Sequence, residues 1–116
     1  MPVVDIEIVD YPEAPPGLAA ALAEACGQIF NSCSSTTWVR LRGLSQDNYA
    51  ENGPPQRPVF VSVLLADLPD QDQLADIAQR LCQAVSETLQ RSSEQVHIVF
   101  QPAGRGRVAF GGRLLS

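Results

Sequence analysis

Apolar and polar positions alternate through Val3-Val4-Asp5-Ile6-Glu7-Ile8-Val9, and Pro58-Val59-Phe60-Val61-Ser62-Val63 is a second apolar, β-rich run. Both predict strands, and each opens on a proline, a residue tolerated at the first position of a strand. Downstream of the second run, Leu74, Ile77, Ala78, Leu81, Cys82, Val85 and Leu89 recur three or four apart, the period of a helix with one buried stripe. Asp70 followed by Gln73 has the spacing of a capping box at its start. Ser92-Ser93-Glu94 then makes a turn, and Val96-His97-Ile98-Val99-Phe100 reads as a closing strand. This strand, helix, strand unit is long enough for a parallel crossover.

The first half of the chain repeats the plan. Pro15 and Pro16 sit at a helix entry, where proline is well placed. Leu18, Leu22, Ala25, Cys26 and Ile29 form the buried stripe, and residues 36–42 close the unit as a strand. An offset of 56 carries Pro2 onto Pro58, Leu18 onto Leu74 and Cys26 onto Cys82, so one unit occurs twice, about 2–53 and 58–116, within a single domain spanning 1–116. In the closing strands Val39 and Leu41 share one face while Trp38, Arg40 and Arg42 share the other; Val96, Ile98 and Phe100 are opposite Gln95, His97 and Val99. Exposed arginine is ordinary, but a tryptophan beside two guanidiniums suits a covered pocket or a subunit interface better than open water.

Composition narrows the setting. The net charge of −5, with no basic run, argues against nucleic acid as a partner. No apolar stretch reaches the about 18 residues of a membrane span and no signal peptide precedes Pro2, so the expectation is a cytoplasmic protein. Three cysteines without paired spacing and a single histidine, His97, suit reduced thiols and no metal site. All eight basic residues are arginine, so without lysine the amino terminus is the one amine available for chemistry. A Met-Pro start permits methionine removal, which leaves the rigid secondary amine of Pro2 free at the head of a strand. A bare Met-Pro start is common, and by itself it decides nothing.

Together, Met1-Pro2-Val3-Val4, the duplicated unit, Arg40 in the first closing strand and the tail Val108-Ala109-Phe110-Gly111-Gly112 with its flanking arginines resemble the tautomerase superfamily, which includes 4-oxalocrotonate tautomerase, 5-carboxymethyl-2-hydroxymuconate isomerase and macrophage migration inhibitory factor. The resemblance spans nearly the whole chain. It implies an α+β fold in which two β-α-β units form a four-stranded sheet with two helices on one face, three chains assembling as a homotrimer. It implies a cofactor-independent, metal-free isomerase acting on a small carboxylate, with Pro2 as general base or acid and Arg40 as the carboxylate clamp.

Physical chemistry is consistent with that role, because a proline ammonium in an apolar pocket near guanidiniums loses hydration and is repelled, which lowers its pKa. A planar guanidinium binds carboxylate at two points and stabilises an enolate oxygen. Arg42 shares the face of Arg40, and Trp38 lies beside them. Tyr49, Glu51 and Asn52 offer a phenol, a carboxylate and an amide from a loop that is equally well read as plain surface. Val108 and Phe110 supply apolar wall or trimer packing, and His97 aligns with Arg40 in the second unit.

The sequence also departs from the family. The early arginine of the short members falls at Tyr11 or Pro12, which leaves the second substrate contact and the substrate open. Pro58 is internal, so one unit alone can present a basic terminus. The glycine-arginine tail from Gly104 to Arg113 reads as a hairpin with turn glycines, pairing with a neighbouring subunit, rather than a phosphate loop or an RNA-binding segment. Residues 97–116 hold three arginines and no acid, whereas residues 1–31 hold five acids and no base, a polarity suited to subunit docking. Rival readings are a dehalogenase, hydratase or decarboxylase on the same scaffold, a non-catalytic trimeric binding module, and a monomeric ligand-sensing α/β sandwich.

Overall fold

In the computed structural model, which describes residues 1–11 and 15–116, the predicted strands form one four-stranded sheet. Its strands are β1 (Val3–Val9), β2 (Trp38–Leu44), β3 (Val59–Leu64) and β4 (Val96–Phe100), in the order β2-β1-β3-β4. Each half is a parallel β-α-β crossover, β1 to β2 over α1 (Leu18–Ile29) and β3 to β4 over α2 (Gln71–Leu89); the halves join through antiparallel pairing of β1 with β3. A short hairpin, β5 (Ala109–Phe110) and β6 (Arg113–Leu114), ends the chain.

Alternation along the strands separates the two faces of the sheet. Val4, Ile6 and Ile8 of β1 and Val59, Val61 and Val63 of β3 are sealed beneath Leu22 and Cys26 of α1 and Leu81, Val85 and Leu89 of α2. Complete burial of such an aliphatic side chain contributes about 1.5–3 kcal/mol, so this layer is the main source of stability. The opposite face carries no helix. Register places its side chains in transverse rows: Trp38, Val3 and Leu64; then Arg40, Asp5, Ser62 and Val99; then Arg42, Glu7, Phe60 and His97.

The capping box at Asp70 is present, with the Asp70 side chain accepting from the Gln73 N–H and the Gln73 side chain accepting in return. Three details differ from the sequence reading. Helix α1 starts at Leu18, not at the prolines, because Gly17 at its N-cap sits at φ 87° and makes the first helical bond, to the Ala21 N–H; Pro15 and Pro16 precede it in a turn closed by Leu18 N–H on Pro15 O. Strand β2 starts at Trp38, since Thr36 bonds the Cys33 carbonyl through both its hydroxyl and its N–H and Thr37 pairs with Ser32.

The third difference concerns the repeat. An even offset of 56 would turn the core positions of β1 onto the open face of β3, because strand side chains alternate. Val4 and Ile6 instead match core positions of β3 an odd number of residues on, among Val59, Val61 and Val63, whereas the buried Leu22 and Cys26 of α1 match the spacing of Leu81 and Val85 in the longer α2. Cys82 is accordingly half-buried and not the counterpart of the sealed Cys26. Arg40 pairs across the strands with Asp5 and His97 with Phe60, both on the open face.

Candidate active site

Pro2 is buried at the amino end of β1, and its carbonyl accepts the Trp38 N–H at 3.0 Å, which fixes the head of β1 against the head of β2. Trp38 is half exposed at the sheet edge and meets Phe110 edge to face, ring centroids 5.3 Å apart at 88°. Val3 pairs with Leu64 at the end of β3, and the chain after β4 returns to the same corner, with the Gln101 N–H on Val63 O and the Gly104 N–H on Leu65 O at 2.8 Å each. Four of the predicted residues, Pro2, Trp38, Val108 and Phe110, therefore gather at this corner of the sheet.

At the same corner lies a cavity of about 230 Å³ lined by Leu64, the partner of Val3, and by Gln101, Pro102, Gly104, Arg107 and Val108. Space at Gly104 is tight: a Cβ at this position would stand 2.8 Å from Met1 Cε, 3.2 Å from Val108 Cγ2 and 3.4 Å from Leu64 Cδ1. The Met1 side chain thus reaches Gly104 in that wall. Gly104, Leu64 and Arg107 were not singled out by the sequence as site residues; the signal was the glycine-arginine tail, whose position depends on bonds made 40 residues away.

The strand arginines are held by the neighbouring strand. Arg40 donates from Nε and Nη2 to Asp5 Oδ1 and Oδ2 at 2.5 and 2.8 Å, while Arg42 lies 3.7 Å from Asp5 and 3.3 Å from Glu7. Hydrogen bonding from Arg40, reinforced by its charge and that of Arg42, outweighs desolvation and holds the Asp5 carboxyl below its ordinary range. The guanidinium of Arg40 shifts upward for the same reason, its hydrogen bond to Asp5. Both cations project from the open face as expected, each with an acid already beside it.

The loop residues fall elsewhere. Tyr49 donates to Glu51 Oε2, a bond that raises its phenol pKa, and its ring stacks obliquely on Phe60 at 5.6 Å. Phe60 in turn lies 5.9 Å from His97. Phe60 pairs with Glu7, four residues along β1 from Val3, which is roughly 13 Å. Tyr49 and Glu51 consequently do not meet Pro2 within one chain, and Asn52 lies exposed in the same loop. Tyr11 packs on the core under Arg91, whose guanidinium carbon is 5.9 Å from its ring centroid; Pro12 lies outside the described residues. Among the described residues no three His, Cys, Asp or Glu side chains converge to hold a metal ion, and no helix is long and apolar enough to cross a membrane.

The fold is shared with solved structures of 4-OT and of macrophage migration inhibitory factor. A symmetric trimer of fused wild-type 4-OT is 18% identical with a TM-score of 0.82, covering 97% of this chain and 94% of that one. Pt0534 inactivated by 2-oxo-3-pentynoate is 16% identical, TM-score 0.81, over 97% and 94%. A macrophage migration inhibitory factor from Oncomelania hupensis is 21% identical, TM-score 0.79, over 100% and 83%. No protein-family model and no curated protein matches the sequence.

Proposed function

We propose that the protein is a cofactor-independent isomerase that uses the amine of Pro2, freed by removal of Met1, to move a proton within a 2-oxo or 2-hydroxy unsaturated carboxylate. The observation that carries this reading is the placement of Pro2: a buried imino acid at the head of a central strand, tied through its carbonyl to Trp38, at the corner of the sheet where Leu64, Gly104 and Val108 wall an apolar cavity. A charged ammonium at such a position loses hydration, which favours the neutral amine.

The reaction balances without a further reagent. The nitrogen lone pair takes the proton of the enol oxygen, the oxygen–hydrogen electrons become the carbonyl π bond, and the displaced carbon–carbon π pair takes a proton back from the ammonium. The amine is regenerated, and one group serves as base and then acid. The likeness to a trimeric fused 4-OT and to a Pt0534 inactivated by 2-oxo-3-pentynoate supports a homotrimer with a reactive site of this kind. Half-exposed Trp38 and exposed Leu114 supply apolar surface for such contacts.

Ketonisation of phenylenolpyruvate by the purified protein tests the proposal. Turnover is expected, and Pro2→Ala, which leaves an amine of altered geometry and basicity, is expected to lower kcat at least about tenfold, within the general acid–base range. A protein that binds carboxylates but shows no turnover, or a Pro2→Ala variant as active as the wild type, would replace the enzyme with a binding module or move the base elsewhere.

A further inference from the structure

We infer that Arg107 is the residue that grips the acid group of the substrate, and that the Met1 side chain occupies the place of the substrate's apolar part until Met1 is removed. This rests on the Pro2 reading for its chemistry but not for its geometry. The first support is a comparison among the cations. Arg40, Arg42, Arg57, Arg80 and Arg105 each lie within 4 Å of an aspartate or glutamate, and Arg91 donates to the backbone carbonyls of Arg57, Val9 and Asp10. Among the described residues, Arg107 and Arg113 make no ion pair and no side-chain hydrogen bond, and of these two Arg107 is the one that lines the cavity at the corner of the sheet where β1 begins. A guanidinium without a counter-ion on the wall of a largely apolar cavity is suited to bind a carboxylate at two points.

The second support is how the turn is built. Arg105, two residues earlier, binds Asp67 at two points, Nε to Oδ1 at 2.8 Å and Nη2 to Oδ2 at 2.6 Å, and donates from Nη1 to Ser116 O. Gly106, at φ 78°, supplies the positive φ of a type II turn closed by the Arg107 N–H on Gly104 O at 2.8 Å. One arginine of the pair anchors the turn and the other is presented to the cavity. The third support is Met1: its Cε meets the position of a Gly104 Cβ at 2.8 Å, on the wall that Val108 and Leu64 share with Arg107. Removal of Met1 therefore opens the amine and clears the wall at Gly104, in a cavity whose one charged lining residue is Arg107, a pocket suited to a short anion with one apolar end.

The test is titration of the processed protein with phenylpyruvate, followed by Trp38 fluorescence and by NMR, for wild type, Arg107→Gln, Arg107→Lys and the distant control Arg80→Gln. Expected is a loss of roughly tenfold or more in affinity for Arg107→Gln, the scale of a lost charged hydrogen bond, with partial recovery in Arg107→Lys and wild-type binding in Arg80→Gln. With phenylenolpyruvate as substrate, Arg107→Gln should raise KM by a similar factor with kcat much less changed, and binding of an uncharged aryl ketone should not respond. Protein with Met1 retained should bind phenylpyruvate more weakly than processed protein. Wild-type affinity in Arg107→Gln, or equal affinity with and without Met1, overturns the inference even if Pro2-dependent turnover is found. Arg107-dependent binding without turnover upholds it while the Pro2 reading falls.

Discussion

Arg40 grips Asp5 across the β1–β2 boundary with two hydrogen bonds, at 2.5 and 2.8 Å, so the two central cationic and anionic side chains of the open face neutralise each other. The folded carboxyl titrates below its unfolded value, chiefly because of the Arg40 bond. A lowered folded pKa contributes stability that is complete above the unfolded value of about 3.9 and is lost as pH falls through the folded one. Urea unfolding of wild type and Asp5→Asn should therefore show wild type the more stable at pH 6, with the difference closing as pH falls below about 4. An unchanging difference from pH 6 to pH 2 would remove the ion pair as its cause.

The sealed layer between sheet and helices sets the scale of packing losses. Leu81 is fully buried against the strands, and Leu81→Ala should cost about 2–5 kcal/mol in urea unfolding. Asp70→Ala, which removes only the cap of the same helix, should cost about 0.5–2 kcal/mol.

Cys26 lies in that layer, where burial pushes its thiol up to about 11, whereas Cys33 is exposed. Ellman's reagent at pH 8 should modify Cys33 rapidly in the native protein and reach Cys26 only on unfolding. Peptide mapping that finds Cys26 labelled first would mean the α1–sheet contact opens readily.

The two halves of the chain are stapled by Arg91, whose guanidinium donates to the carbonyls of Arg57, Val9 and Asp10 at 2.8, 2.9 and 3.1 Å. Arg91→Ala leaves these half-covered carbonyls without that donor and should cost about 2 kcal/mol of stability, on the scale of bonds to charged groups. Arg91→Lys should recover little, because one ammonium cannot reach across the planar fork of three acceptors. Thermal unfolding of the two variants checks both statements.

Much of the fold was legible because alternation and helical period are local signals: β4 and the cap of α2 fall where the sequence puts them, as does the tail hairpin, whose Gly111 and Gly112 both take positive φ. The repeat was legible only as a duplication, because the even offset read from the sequence does not hold in the strands. Of the site, the shared face of Trp38, Arg40 and Arg42 could be read from alternation. That Asp5 and Glu7 would claim the two arginines could not, since it depends on the β1–β2 register. Arg107 was hidden for a like reason. Its place in one cavity wall with Leu64 follows from the backbone bonds of Gly104 and Arg105 to Leu65 and Ala66, which bring residues 104–108 back to the end of β3, and periodicity carries no information about such a return.

Incubation of the native protein with 2-oxo-3-pentynoate, followed by intact mass and peptide mapping, probes the Pro2 amine most directly. The account predicts a chain lacking Met1 and a single mass increment on the nitrogen of Pro2, with activity lost in proportion. A chain that retains Met1, or an increment confined to a side chain such as Cys33 while Pro2 stays unmodified, would contradict it.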